Sequence, residues 1–82
     1  MLPFDKEPDY VNADGTKWWI EDVLTPYAQQ KGLDMKCYVV ETVDGYRSYV
    51  GVMDGTIVAE NQSIEAFSIR IDMIAYLNQD TA

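Results

Sequence analysis

Histidine is absent from this 82-residue chain, and cysteine occurs once. Without histidine no Ser-His-Asp or Cys-His arrangement can form, and the commonest general base is missing. Zinc sites built from cysteine and histidine are excluded by the same counts. The single cysteine, Cys37, has no partner for an internal disulfide and lies in a predicted strand. We therefore expect it to be a buried, unreactive thiol rather than a nucleophile.

Basic side chains are also scarce. Six lysines and arginines stand against fourteen acidic residues, so the formal net charge is -8 and the pI is about 4.1. Neutralising nucleic-acid phosphates requires clustered basic residues, so direct binding to nucleic acid is disfavoured, as is binding to an anionic membrane. A basic protein partner is favoured, with solubility as the alternative role of the charge.

Long apolar runs are missing as well. No stretch of about 18 apolar residues could cross a membrane, and the start of the chain lacks the basic-then-apolar pattern of a secretion signal. These features predict a cytoplasmic protein. The length predicts one domain over residues 1–82, and Pro3 and Pro8 predict a mobile arm over residues 1–9.

The remaining candidates for chemistry are carboxylates. Asp44 and Asp54 each precede a glycine and are explained by turn formation. The segment from Asn12 to Glu21 has part of the ligand spacing of a calcium loop, but Tyr10 stands where the first carboxylate belongs. We therefore expect a non-enzymatic protein with no cofactor and no metal site.

Residues 36–59 contain three short apolar runs separated by Asp44-Gly45 and Asp54-Gly55. Asp-Gly between apolar runs is a strong hairpin signal, so the stretch predicts a three-stranded antiparallel meander. With two-residue turns, Val43 pairs with Tyr46, Met53 pairs with Thr56, and Gly51 lies opposite Tyr38. One face of the sheet then carries Cys37, Val39, Val50, Val52, Ile57 and Ala59, and the other carries Tyr38, Val40, Arg47, Tyr49, Met53 and Val58.

The segment from Tyr10 to Glu21 is compatible with two structures. The turn around Asp14-Gly15 could lead into a strand through Trp18 and Trp19, or it could precede a helix. Trp19, Val23 and Tyr27 recur at four-residue spacing, which favours the helix. Because Pro26 interrupts the pattern, we expect a kink or two short helices over residues 17–24 and 26–31.

The last apolar segment predicts a helix from Ile64 to about Asn78, capped by Ser63 or Asn61. One stripe of this helix should pack across the sheet: Ile64, Phe67, Ile71, Ile74 and Ala75. A second stripe, with Ala66, Ile69, Met73 and Leu77, lies on nearly the opposite side. This stripe should meet the N-terminal helix, a second copy of the chain or a target protein, and Ile69, Met73 and Leu77 are the predicted dimer interface.

Residues 35–77 carry three short motifs: Met-Lys-x-Tyr-x-Val from Met35, Gly-Tyr-x-x-Tyr-Val from Gly45 and Ser-Ile-Glu-Ala from Ser63. In these motifs the chain resembles the small N-terminal module of HicB-type antitoxins. The resemblance covers about half of the chain. It implies a strand order of three strands followed by a helix, in a dimerising acidic module that masks a basic RNA-cleaving toxin.

The predicted fold is α+β: an N-terminal helical segment, a three-stranded antiparallel meander, and a C-terminal helix across the sheet. The predicted function is binding to another protein, and the favoured target is a basic nucleic-acid-handling protein that is blocked or modulated. Bacteriophage inhibitors of the anti-restriction or anti-CRISPR type fit this description. The alternatives are a HicB-like antitoxin module and a homodimeric structural protein. The predicted partner-binding residues are Trp18, Glu21, Asp22, Tyr49 and Asp72.

Overall fold

A computed structural model describes residues 6–79 of the chain. It contains five strands and two helices, in the order β1 (Tyr10–Val11), β2 (Lys17–Ile20), α1 (Leu24–Gln30), β3 (Lys36–Glu41), β4 (Arg47–Met53), β5 (Thr56–Asn61) and α2 (Ile64–Gln79). The strands form one sheet in sequence order, and every neighbouring pair is antiparallel. The α+β class is therefore confirmed. The predicted layout is wrong, because the sheet has five strands and the N-terminal segment supplies two of them.

The hairpin of β1 and β2 replaces the helix predicted over residues 17–24. Its turn is closed by two hydrogen bonds: the Asn12 amide donates to the Thr16 carbonyl at 2.8 Å, and the Gly15 amide donates to the Asn12 carbonyl at 3.0 Å. Gly15 has a φ of 89°, a conformation that glycine adopts at little cost. Val23 of the supposed helical stripe is exposed, so the four-residue spacing was coincidental. Tryptophan and isoleucine instead pack well in a strand beside β3.

The turn between β3 and β4 has three loop residues rather than two. The Thr42 amide donates to the Tyr46 carbonyl at 2.9 Å, and Gly45 has a φ of 89°. This is the three-residue hairpin loop that ends in a glycine bulge. Because the loop is one residue longer than predicted, Val43 does not pair with Tyr46, and Cys37 rather than Tyr38 lies opposite Gly51.

That one-residue shift exchanges the two faces of β4 relative to β3. Tyr49 lies on the same face as Cys37 and Val39, while Val50 and Val52 lie on the face of Tyr38. The predicted face assignments for β4 are therefore wrong.

The second turn has the predicted two residues. Asp54 and Gly55 both have positive φ values, 55° and 75°, and Met53 pairs with Thr56, which confirms the predicted register there. Further along, Gly51 pairs with Ala59 but Val52 pairs with Ile57, so β5 carries one extra residue. This bulge at Val58 turns both Val58 and Ala59 toward the hydrophobic core.

Helix α1 begins at Leu24, and Pro26 lies in its first turn, where its missing amide hydrogen removes no helical bond. The Glu21 carboxylate accepts hydrogen bonds from the amides of Val23 and Leu24, at 3.2 Å and 2.6 Å. Thr25 joins α1 to the sheet beyond the end of β2. Its hydroxyl donates to the Cys37 carbonyl at 3.2 Å and accepts from the Cys37 amide at 2.9 Å.

Helix α2 confirms the predicted C-terminal helix and packs across the sheet through Phe67, Ile71 and Ala75, which are buried. Ser63 caps it by accepting a hydrogen bond from the Ala66 amide at 3.3 Å. Both helices contribute to one core cluster on the same face of the sheet as Cys37 and Ala59: Leu24, Ala28, Leu33, Met35, Cys37, Ala59, Phe67, Ile71 and Ala75.

Gly51 is the point of closest approach between sheet and helix. A Cβ atom at this position would lie 2.8 Å from the Met35 sulfur and 3.2 Å from Cζ of Phe67. The bare backbone therefore provides the space into which the Phe67 ring packs.

Candidate functional site

The face of the sheet opposite the helices, here called the open face, is lined by aromatic and β-branched side chains. Strand pairing places Tyr10, Trp18, Val40 and Ser48 in one row of this face. The next row contains Ile20, Tyr38, Val50 and Glu60. Both described helices belong to the core on the other face, so neither covers these rows.

The open face contains a cavity of about 350 Å³, here called the aromatic cavity. The Trp18 and Tyr38 rings meet edge to face in its wall, with centroids 5.4 Å apart and an interplanar angle of 82°. Tyr10 and Ile57, from the two outermost strands, also line it and are 62% and 53% exposed. The full lining is Tyr10, Asn12, Trp18, Tyr38, Val52, Gly55 and Ile57. Because both edges of the sheet contribute, the open face is concave.

Trp18, which lines this cavity, carries an unsatisfied hydrogen-bond donor. Its indole Nε1 is buried from solvent and has no hydrogen-bond partner within residues 6–79. A buried donor without an acceptor costs roughly 1–3 kcal/mol. The neighbouring Trp19 differs, because it faces the core and its Nε1 donates to the Lys6 carbonyl at 2.9 Å.

A second depression adjoins the aromatic cavity and shares Tyr38, Val52 and Gly55 with it. Its volume is about 330 Å³, and its charged lining consists of Asp34, Lys36 and Asp54. In the described part of the chain neither carboxylate accepts a hydrogen bond or pairs with a basic group. Two carboxylates and one ammonium group leave an excess of negative charge there. We call this region the acidic depression.

Most other acidic side chains already have structural partners. Thr16 donates its amide to Asp14, which lowers the pKa of that carboxyl, and the Thr42 hydroxyl does the same for Asp44. The Tyr27 hydroxyl, at 2.6 Å, and then Lys31, at 3.1 Å, lower the pKa of Asp72. Asp34 and Asp54 have no such partner among residues 6–79, and unlike Glu7 and Asp22, which also have none, they line the acidic depression.

The five predicted partner-binding residues do not form one surface. Trp18 lies on the open face, whereas Tyr49 lies on the helix-covered face with its ring centroid 6.1 Å from that of Phe67. Glu21 caps α1. Asp72 links α2 to α1 through Tyr27 and Lys31, and Asp22 is exposed beside α1.

The predicted dimer residues do lie together. Ile69, Met73 and Leu77 are 60%, 50% and 59% exposed, and with Asp72 and Tyr76 they line a shallow groove on α2. We call Ile69, Met73, Tyr76 and Leu77 the α2 stripe. The predicted contact of this stripe with an N-terminal helix is wrong, because α1 meets α2 at Asp72 and leaves the stripe exposed.

The thiol and the carboxylates are the candidates for reactive or metal-binding arrangements within residues 6–79. Cys37 is fully buried, and burial raises the pKa of its thiol to about 11. Over residues 6–79, no group of three or more His, Cys, Asp or Glu side chains could hold a metal ion. No helix in that range is both long enough and apolar enough to cross a membrane.

Tyr10, Tyr38, Asp34 and Asp54 were not among the residues predicted to act. The turn sequence could have indicated them. A polar residue, Asn12 or Thr42, lies two residues before the aspartate of an Asp-Gly pair, and both segments form the same three-residue loop. Applied to Asn12, that signal predicts the β1–β2 hairpin and places Tyr10 and Trp18 on one face.

Comparison with known proteins gives no family for the chain. No protein-family model, curated protein or solved structure matches it. The resemblance to HicB-type antitoxins therefore stays a prediction. The open face and the α2 stripe are the features from which a function can be proposed.

Proposed function

We propose that this protein is a non-enzymatic inhibitor or modulator that binds another protein, and that its target is a basic, nucleic-acid-handling protein. The observation that supports this proposal is the concave, aromatic open face next to carboxylates that have no partner among residues 6–79. Aromatic side chains are enriched at the energetic centres of protein interfaces. Bacteriophage inhibitors of the anti-restriction or anti-CRISPR type are the class of protein that this combination fits.

Electrostatics favours such a target over nucleic acid itself. The chain has a net charge of -8, and two of its six basic side chains, Lys31 and Arg47, already pair with Asp72 and Glu41. A surface of this kind repels phosphates and attracts proteins that bind phosphates, which speeds association at low salt.

Binding to basic nucleases and DNA-binding proteins tests the proposal. The full chain, immobilised, should bind and inhibit at least one member of such a panel at about 0.05 M salt, and the affinity should fall at least about tenfold at about 0.5 M salt. Acidic proteins of similar size are the control and should not bind. Salt-independent binding would contradict the electrostatic role, and preference for the acidic proteins would contradict the proposed target class.

A HicB-like antitoxin module is a narrower form of the same proposal. The order β3, β4, β5, α2 is the strand and helix order that the resemblance implies. Its target would be a basic RNA-cleaving toxin. Inhibition confined to ribonucleases of the panel would favour this form, and inhibition confined to DNA-handling enzymes would favour the phage-type inhibitor.

Homodimerisation through the α2 stripe is the second candidate function, favoured by the contiguous exposure of its four apolar side chains. In sedimentation velocity, Ile69→Glu or Met73→Glu should raise the dimer dissociation constant at least about a hundredfold, because a carboxylate would be buried without a partner. Val43→Glu is the matched control, since Val43 is an exposed residue in a turn away from α2. A wild-type monomer at high concentration would exclude this candidate.

A further inference from the structure

We propose that the open face receives an extended basic segment of the target, with an apolar side chain in the aromatic cavity and a lysine or arginine in the acidic depression. The proposal rests on the proposed function and specifies its binding surface and the chemistry of the bound segment. It is drawn from two adjoining cavities of different character, joined through Tyr38, Val52 and Gly55.

The aromatic cavity indicates the size and type of the apolar side chain that the segment contributes. Its volume of about 350 Å³ lies at the lower end of the usual range for ligand sites, about 300–1,000 Å³, and most of its lining is aromatic or aliphatic. Exposed Tyr10 and Ile57 stand at its two sides. One large aliphatic or aromatic side chain is the appropriate occupant, and covering Tyr10 and Ile57 adds apolar burial.

The indole N–H of Trp18 indicates that the bound segment supplies a hydrogen-bond acceptor beside that apolar side chain. Its Nε1 has no partner among the described residues, so an oxygen that reached it would remove the cost of an unsatisfied donor. An extended segment offers a backbone carbonyl next to each side chain. Because Nε1 is buried in the free chain, binding requires a side-chain rotation that opens it to that carbonyl, and such rotations are common when interfaces form.

The acidic depression indicates that the bound segment is positively charged. Asp34 and Asp54 have no partner in the described part of the chain, and Lys36 offsets only one of the two negative charges. The α2 stripe differs, because Asp72, the carboxylate that lines its groove, is already bound by Tyr27 and Lys31. A cationic segment is therefore better matched to the open face than to α2. A second copy of the chain is poorly matched, since each copy carries a charge of -8.

The experiment is a titration of the ¹⁵N-labelled full chain with three short capped peptides. One carries phenylalanine and arginine in turn at every second position, with serine between them, so that both kinds of side chain lie on the same side of an extended chain. In the second peptide alanine replaces phenylalanine, and in the third glutamate replaces arginine. The first peptide should move the indole N–H signal of Trp18 downfield as it gains an acceptor, while the Trp19 signal, already bonded to Lys6, stays in place. The other two should bind at least about tenfold more weakly.

Substitutions then locate the site. Trp18→Phe and the double change Asp34→Asn with Asp54→Asn should each weaken binding of the first peptide at least about tenfold. Asp22→Asn with Glu7→Gln removes the same charge from exposed carboxylates outside the acidic depression, and Tyr76→Ala removes an aromatic ring from the α2 stripe. These controls should bind within about twofold of wild type. An unchanged Trp19 indole signal shows that each variant is folded.

Four outcomes would overturn the proposal: no shift of the Trp18 signal at millimolar peptide, equal weakening by the charge control, loss of binding with Tyr76→Ala, or concentration-dependent shifts of Trp18 without peptide. The last would identify a second copy as the occupant. If the open-face variants still bind and inhibit a basic protein of the panel, the proposed function stands and this surface is wrong. If the peptide binds at Trp18 but no basic protein is bound, the open face is a peptide-binding surface and the proposed function is wrong.

Discussion

Phe67→Ala is expected to lower the free energy of unfolding by about 3–5 kcal/mol, the usual cost of truncating a buried phenylalanine. The side chain is 0% exposed and packs over Gly51, next to Tyr49. A chain of 82 residues has a total stability of about 4–12 kcal/mol, so this single change removes a large part of it. Urea unfolding followed by tryptophan fluorescence measures the loss.

Ile69→Ala is the matched control for that experiment. Ile69 lies two residues further along the same helix but is 60% exposed, so its truncation should change the free energy of unfolding by less than about 1 kcal/mol. Equal losses in the two variants would mean that α2 is not oriented with Phe67 toward the sheet.

Trp19→Ala is expected to cost about 3–5 kcal/mol, whereas Trp18→Ala should cost less than about 2 kcal/mol. Trp19 is buried in the helix-covered face and its indole donates to Lys6, so its removal leaves a cavity and an unpaired carbonyl. Trp18 is half-buried on the open face, and its removal also eliminates an unsatisfied donor. Urea unfolding of both variants, followed by circular dichroism, makes the comparison.

This pair is its own control, because the two residues are adjacent and identical in type. In a strand, adjacent side chains point to opposite faces. The remaining tryptophan should emit at shorter wavelength in Trp18→Ala than in Trp19→Ala, since Trp19 is the more buried residue. Similar stability losses with similar emission would contradict the placement of the two indoles on opposite faces of the β1–β2 hairpin.

The segment from β3 to α2 could be predicted from the sequence because its signals agree with one another. The apolar runs, the two Asp-Gly pairs and the serine at position 63 mark three strands and a capped helix, and the structure contains all four. Phe67, Ile71 and Ala75 are buried on one side of α2, as their spacing predicts.

The N-terminal segment was misread because its apolar residues fit two periodicities. Trp18, Trp19 and Ile20 alternate in a strand, while Trp19, Val23 and Tyr27 match a helical spacing. Neighbouring β3 decides between them, since four residues of β2 pair with it. Local spacing contains no information about that tertiary contact.

The predicted register between β3 and β4 is wrong for a different reason. Asp-Gly occurs in the three-residue loop at Gly45 and in the two-residue turn at Gly55, so the dipeptide alone does not fix loop length. The residue two places before the aspartate does distinguish them here: Thr42 is polar and bonds across its loop, whereas Val52 does not. Because side chains alternate along a strand, an error of one residue in the loop length places every side chain of β4 on the wrong face relative to β3.

Most of the candidate site could not be predicted from the sequence, because tertiary contacts bring its residues together. Tyr10, Trp18, Tyr38 and Asp54 are spread over much of the chain, and only the five-strand pairing brings them to one face. Composition indicated an acidic binding protein with exposed aromatic residues. Which carboxylates remain free of structural roles depends on hydrogen bonds, such as those of Glu21 and Asp72, that the fold alone determines.

The extra residue in β5 limits how copies of this protein can associate. A strand at the margin of a sheet is a template for adding further strands, and a bulge at Val58 breaks that template after a few residues. The opposite margin, β1, is only two residues long. Among the described residues, neither margin therefore offers a long, regular edge onto which a second copy could add a strand.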